Sequence, residues 1–382
     1  MARHGNDRET ARRDERRIGG FEPRRRSLGM QALGIIGELL LTLAAICALY
    51  IAWQLWWTGV ESERNQIEQS ATASWSDPAA ANGATQIAQP QQGDPPKQPE
   101  SANTDDLVAQ LYIPRFGLNW QRNVVEGVDS EQLALHGLGH YPTSQMAGQV
   151  GNYAVAGHRS GYGEPLGNVN LLQEGDAIIV RTKDYWYVYH FTNNKITLPN
   201  DVGVVAPDPS GDGAQKVESG RYITLTTCEP RYTSATHRWI SWGAFDYWAK
   251  VSDGVPKELA TADDSGQVTF STATSSVFTR IASLQSVILW LLIAYAVIYV
   301  AALVAWRYPV LRQIRDGQRP RPEASLYGWL LRHHPGPLPI RLILFALLAL
   351  AGAAALFEWV FPWAATNIPV LQVMSNYVAV QA

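Results

Sequence analysis

The sequence predicts a mainly β domain, a closed barrel or sandwich, exported across a membrane and held by one N-terminal and two C-terminal transmembrane helices. Three observations carry that prediction. Between residues 107 and 253 the chain breaks into short alternating runs separated by Gly, Pro, Asn and Asp, the pattern of small closed β architectures. Three apolar runs elsewhere are each long enough to cross ~30 Å of hydrocarbon. Arginines gather beside those runs: residues 1–27 hold nine arginines against five acids, and residues 307–341 hold seven against Asp316 and Glu323. Both basic segments read as cytoplasmic, which leaves residues 107–253 outside.

Taken in order, residues 1–29 form a basic, polar tail with no hydrophobic period, expected to be disordered in the cytoplasm. Residues 30–57 are the anchor. Its one charge, Glu38, lies near the cytoplasmic end, where it is expected to snorkel, and Trp53, Trp56 and Trp57 form an aromatic belt at the far end. The run is too long, and lacks the small-residue cleavage site, for a signal peptide. Residues 58–106 are rich in Ala, Gln, Pro, Ser and Asp and poor in large aliphatics, so they are expected to be a disordered extracellular tether.

The β domain occupies 107–253. LVAQLYIPRFG, NVVEGV, GNYAVAGH, DAIIVRT, WYVYHFTNN, VGVVAP and RYITLTTC each read as a strand, and EQLALHGLGHYP as a short helix or turn before GNYAVAGH. Residues 254–280 are a second polar linker. Residues 281–306 are an uncharged span, 307–341 the basic cytoplasmic loop, and 342–363 a return span with Glu358 and Pro362 near its exit. Residues 364–382 then end outside. No internal repeat appears.

A net charge of −3 with 17% charged residues points to no nucleic-acid partner. There are two cysteines, Cys47 inside an apolar span and Cys228 far outside it, so no intramolecular disulfide is expected. An exported domain with one unpaired thiol holds it either buried and inert or reactive.

Chemistry concentrates in TLTTCEPRYTSATHRWISWG, residues 224–243. Cys228 ends an alternating run, and Glu229–Pro230 cannot continue a central strand. The thiol therefore sits at a strand-to-loop junction, held by a scaffold yet accessible. A cysteine nucleophile needs a base and a group to hold the oxyanion. Of the five histidines in the β domain, His158 also ends an apolar strand, ahead of Arg159 and a Gly-rich loop, so adjacent strands would bring it to Cys228. His237 is the rival base. His190 is mid-strand, and His136 and His140 lie in a Gly-flanked turn. Arg238 begins the strand after the loop and carries a fork of donors suited to an oxyanion, with Arg231 as the alternative.

QLWWTGV, LYIPRFG, AGHRSGYGEP, the QEGD turn and TLTTC…R together resemble a sortase, most closely the class E sortases of actinobacteria. The resemblance covers the first span and roughly residues 107–250. It implies an eight-stranded β-barrel with Cys228 as nucleophile, His158 as acid/base and Arg238 as oxyanion and substrate clamp. Thr226, Thr227 and Tyr162 are implied in the substrate pocket. The implied reaction is transpeptidation. Cleavage falls between Thr and Gly of a Leu-Ala-x-Thr-Gly or Leu-Pro-x-Thr-Gly sorting signal on a surface protein or pilin, through a thioacyl intermediate. The acceptor is an amine of a lipid-linked cell-wall precursor or a pilin lysine. This sequence departs from the pattern in Glu229 after the cysteine and in its two C-terminal spans. Competing readings are a hydrolytic cysteine peptidase on the same fold and a non-catalytic surface assembly protein. An L,D-transpeptidase is disfavoured because its Ser/Thr-His-Gly-Cys string is absent. Scattered histidines give no metal-ligand spacing, so no metal or cofactor is expected, calcium included.

Overall fold

The computed structural model describes residues 27–73, 75–76, 85–209, 219–262, 268–270, 275–281 and 283–371. Nearly all of the basic tail expected over 1–29, and most of the tail expected over 364–382, lie outside these residues.

Eight strands close into a barrel: β1 (Leu107–Tyr112), β2 (Gln121–Glu126), β3 (Leu138–His140), β4 (Gly151–Gly157), β5 (Ala177–Arg181), β6 (Tyr185–Thr197), β7 (Arg221–Glu229) and β8 (His237–Lys250). The order around the barrel is β1-β2-β3-β4-β7-β8-β6-β5, and β5 pairs back onto β1. Only β2–β3 and β4–β7 run parallel. Period-2 alternation fills the interior. Leu111, Val124, Leu138, Tyr153, Val155, Ile178, Val180, Tyr187, Tyr189, Ile223 and Leu225 form one cluster.

Two of the segments read from sequence differ. VGVVAP is a 3₁₀ turn over Val202–Val205, not a strand. It follows a Pro-Asn-Asp turn and acts as a plug: Val204 is buried, and its carbonyl accepts from Thr224 Oγ1 and Trp242 Nε1. The short helix Ser130–His136 is present, but the following LGH pairs as β3 with both β2 and β4.

The tether expected over 58–106 and the linker expected over 254–280 are ordered where they are described. The first apolar helix, α1 (Leu28–Ala52), passes through a π-helical turn at Trp53–Trp57 into α2 (Thr58–Ala73). Gln66 in α2 accepts the Asn123 N–H through Oε1 at 3.0 Å and the Asn123 Nδ2 through its carbonyl at 2.9 Å. The composition of 58–73 is too polar to make a core of its own, but its Thr, Ser and Gln side chains bond to the barrel instead. Residues 86–88 likewise pair with Val255, and Gln91 with Trp248. These straps cover a second apolar cluster on the outer barrel face, where Tyr112, Ile179, Trp186, Val188 and Tyr247 pack with Ala88, Val255 and Leu259. A run such as YWYVYHF is apolar on both faces, so its strand needs cover on both. Gly254 (φ +119°) fits because a Cβ there would meet the Gln86 carbonyl oxygen at 2.0 Å.

Among the described residues, three helices are long and apolar enough to cross a membrane, starting at Leu28, Leu284 and Leu338. The first comprises α1 and α2; the others are α3 (Leu284–Trp306) and α4 (Leu338–Ala355), the latter running through another π turn, Leu356–Val360. Glu38 in α1 and Glu358 in the π turn after α4 each cap the start of another helix. Glu38 accepts the N–H groups of Leu326 and Tyr327, at the start of the helix Leu326–His333, so it is engaged in the protein as well as near the span's end. Glu358 accepts the Leu284 N–H at 3.2 Å and the Ser283 hydroxyl at 3.2 Å, at the start of α3.

Candidate active site

Strands β4, β7 and β8 lie side by side. In the parallel pair Ala156 stands opposite Thr226, and in the antiparallel pair Cys228 stands opposite Arg238. Continuing the parallel register by two residues brings His158 level with Cys228. The Thr227 hydroxyl donates to the Gly157 carbonyl at 2.7 Å, so the two chains stay paired that far. Tyr153, Val155, Ile223 and Leu225 face the interior, so by alternation the even-numbered His158, Cys228 and Arg238 face outward together at one end of the barrel. Three strand ends therefore supply a thiol, an imidazole and a guanidinium to one patch.

The three differ in environment. Cys228 is a free, half-buried thiol. His158 is 7% exposed, and its Nε2 is buried with no hydrogen-bond partner among the described residues. Burial lowers its pKa to about 4, so the imidazole is neutral at neutral pH. Its ring stacks on Tyr162 at 4.5 Å between centroids. Arg238 is half-buried, donates from Nη1 to the His237 carbonyl at 3.2 Å, and makes no ion pair among the described residues. Its fork is left available.

The other residues singled out from sequence separate. Thr226 shares the Cys228 face, 4% exposed, with its hydroxyl 3.0 Å from the Tyr141 hydroxyl. Thr227 points the other way, toward Gly157, so it does not line the same face. Tyr162 is 2% exposed and lies against His158. The rival base His237 is exposed and stands opposite Glu229, on the alternate face from Cys228. Arg231 is taken by Glu164 at 2.6 Å. His140 is buried against Glu126 at 2.8 Å and Ser144 at 2.9 Å, a packed structural imidazole. His190 is half-buried, 3.7 Å from Asp246.

Sequence reasoning gave no role to Arg159. Its guanidinium pairs with Glu229, lies 4.8 Å over the Trp239 ring and donates to the Cys228 carbonyl at 3.4 Å. It stitches the ends of all three strands together. The available signal was the placing of an arginine directly after His158 and a glutamate directly after Cys228, an odd-numbered pair at matching register. Among the described residues no group of three His, Cys, Asp or Glu is arranged to hold a metal.

Residues 111–246 match the sortase domain family. Sortase SrtE2 of Streptomyces coelicolor is 31% identical over 265 residues, covering 66% of this chain and 98% of that protein. The chain belongs to the sortase family. Sortase SrtE1 of the same organism is 33% identical over 235 residues, covering 59% of this chain and 60% of that protein. This sortase chain thus spans less than two thirds of that relative's length. The structure of sortase E from Streptomyces avermitilis is similar to it at 39% identity, covering 41% of this chain and 99% of that one, with a TM-score of 0.37. The closed eight-stranded barrel is accordingly a sortase fold, and the similarity is to class E. Sortases are cysteine transpeptidases.

Proposed function

We propose that this sortase is a membrane-anchored cysteine transpeptidase in which Cys228 is the nucleophile, His158 the acid/base and Arg238 the oxyanion and substrate clamp. The observation that carries the reading is the register: β4, β7 and β8 align these three residues on one face at one barrel end, whereas His237 stands on the alternate face and Arg231 is taken by Glu164.

Cys228 gives its proton to His158 as its sulfur bonds to the carbonyl carbon of Thr in a Leu-Ala/Pro-x-Thr-Gly signal. The orphaned Nε2 of His158 is the atom free to receive that proton. Arg238 holds the negative oxygen of the tetrahedral intermediate. Breakage of the Thr–Gly C–N bond returns the proton to the leaving glycine amine and leaves a thioester. An amine then attacks that thioester, His158 takes its proton, and the released Cys228 sulfur recovers it. The net change is one amide exchanged for another, with no redox step and no cofactor. Thr226 borders the nucleophile on the substrate face.

The charge bias of residues 1–27 and 307–341 supports a cytoplasmic side for both and, in this reading, a barrel outside the cell. Substrates in this reading are surface proteins or pilins carrying the signal, with the amine of a lipid-linked peptidoglycan precursor or a pilin lysine as acceptor. Intact mass spectrometry of the full-length protein with Leu-Ala-x-Thr-Gly and Leu-Pro-x-Thr-Gly peptides tests it. A thioester on Cys228 that an added amine converts to the amide adduct is the expected result. Release of free acid alone, whatever amine is added, would make the protein a peptidase. No covalent species with either peptide would leave an assembly role.

A further inference from the structure

The loop after His158 has an unusual backbone. Four successive residues have positive φ: Gly161 at +67°, Tyr162 at +52°, Gly163 at +78° and Glu164 at +47°. Glycine adopts that region freely, but Tyr and Glu do so only where surrounding structure holds them. Internal bonds close the loop, from Glu164 N–H to the Gly161 carbonyl at 2.8 Å and from Leu166 N–H to the His158 carbonyl at 3.0 Å. On one side, Glu164 pairs with Arg231 from the β7–β8 loop.

The other side is held by α2. The Tyr162 N–H donates to Thr58 Oγ1 at 2.9 Å, and that hydroxyl in turn donates to the Gln54 carbonyl at 2.8 Å. Thr58 is 1% exposed, so this bond is shielded from water. One residue on, the backbones nearly touch: a Cβ on Gly59 would lie 2.9 Å from both the N and Cα of Gly163. A Cβ on Gly161 would meet the Gln54 carbonyl at 3.2 Å. Further along, α2 is fixed to the barrel through Gln66, Ser70 and Asn123. The helix is therefore a brace with one end in the loop and the other on β2.

Tyr162 is the only link needed to carry this to the imidazole, because its ring lies stacked on His158. We propose that Thr58 and Gly59, on the helix that continues the membrane anchor, are positioning residues for His158, acting through the backbone of Tyr162. The anchor then does more than tether the enzyme: it completes the geometry of the base. This rests on the transpeptidase reading, with His158 as acid/base.

The test uses full-length protein in phospholipid nanodiscs and the thioester-forming peptide assay. Thr58→Val keeps the shape and removes the acceptor, and Thr58→Ser keeps the acceptor. Gly59→Ala drives a methyl into Gly163. Glu68→Gln, on the exposed face of α2, is the control. Thr58→Val is expected to lower kcat on the order of 10-fold to 10²-fold with KM for the peptide little changed, since the base is misplaced while the peptide site is intact. Gly59→Ala should do the same or more, and Thr58→Ser should restore kcat. Unchanged kcat in both Thr58→Val and Gly59→Ala, with Cys228→Ala inactive beside them, overturns the inference and leaves the transpeptidase reading standing. A loss that Thr58→Ser does not rescue, or that falls equally on KM, also overturns it. Retained thioester formation in Cys228→Ala would instead remove the reading beneath it.

Discussion

Two regions meet at His158, and they are built by different means. On one side, β4, β7 and β8 fix positions by register: the ladder that pairs Cys228 with Arg238 is a run of backbone bonds indifferent to most side chains. On the other, Gly161–Glu164 takes a left-handed backbone that no ladder supports, and single contacts from Thr58, Gly59 and Arg231 hold it. Nucleophile and clamp thus inherit the precision of a sheet. The imidazole sits at the seam, its backbone on the sheet side and its ring against the loop. Substitutions on the sheet side should therefore remove chemistry outright, whereas those on the loop side should detune it.

The largest expected effect is on the sheet side. Cys228→Ala should abolish the thioester and lower peptide turnover on the order of 10⁴-fold or more, because no remaining group can replace the nucleophile. Arg238→Ala should lower kcat/KM on the order of 10² to 10³-fold, the usual consequence of losing one oxyanion donor. Arg238→Lys should recover only part of that, since a point charge does not reproduce a fork. If Arg159→Ala, which loses the bonds to Glu229 and the Cys228 carbonyl, cost as much as Arg238→Ala with the fold intact, the clamp could not be assigned to Arg238 alone.

The same contrast explains what could be seen in advance. Alternating runs ending at His158 and Cys228, and Arg238 at the start of the next run, are local signals, so the strand ends were legible from residue order. The brace was not. Thr58, Gly59, Gln66 and Ser70 lie in a polar, Ala/Gln-rich stretch whose composition argues for disorder, and the partners that order it lie 53 to 104 residues further along and meet it only in the folded barrel. β3 was hidden for a simpler reason: three residues, LGH, are too few to show a period. VGVVAP misled in the other direction, since its apolar residues plug Thr224 and Trp242 without joining a ladder.

His158 itself gives a smaller, pH-dependent effect. Its folded pKa of about 4 lies below the ordinary 6.5 because burial disfavours the imidazolium. At pH above 6.5 neither state binds the proton and the group is neutral to stability. As pH falls from 6.5 toward 4 the unfolded chain takes up the proton first, so stability is lost across that window, by at most about 3 kcal/mol. Melting followed by tryptophan fluorescence should show wild type losing more than His158→Gln between pH 7 and pH 4. Equal losses in the two would mean the imidazole is hydrated in the folded protein, and the seam looser than its packing against Tyr162 implies.

The smallest effect tests the division of faces most sharply, because it compares neighbours of one residue type. Thr226 and Thr227 are both nearly fully buried, at 4% and 3% exposure. Thr227 spends its hydroxyl on the Gly157 carbonyl, one residue before His158, whereas Thr226 meets Tyr141 on the face that carries Cys228. Thr227→Val should therefore act as a stability change of about 1 kcal/mol, the worth of one buried hydrogen bond, lowering the melting temperature by about 2–4 °C. Its KM for the peptide should stay near wild type. Thr226→Val keeps the shape but leaves the Tyr141 hydroxyl to reorient on the substrate side, so its change should appear in KM. An equal KM change from both would place the two hydroxyls on one surface, and a strand with its side chains alternating across the barrel wall cannot do that.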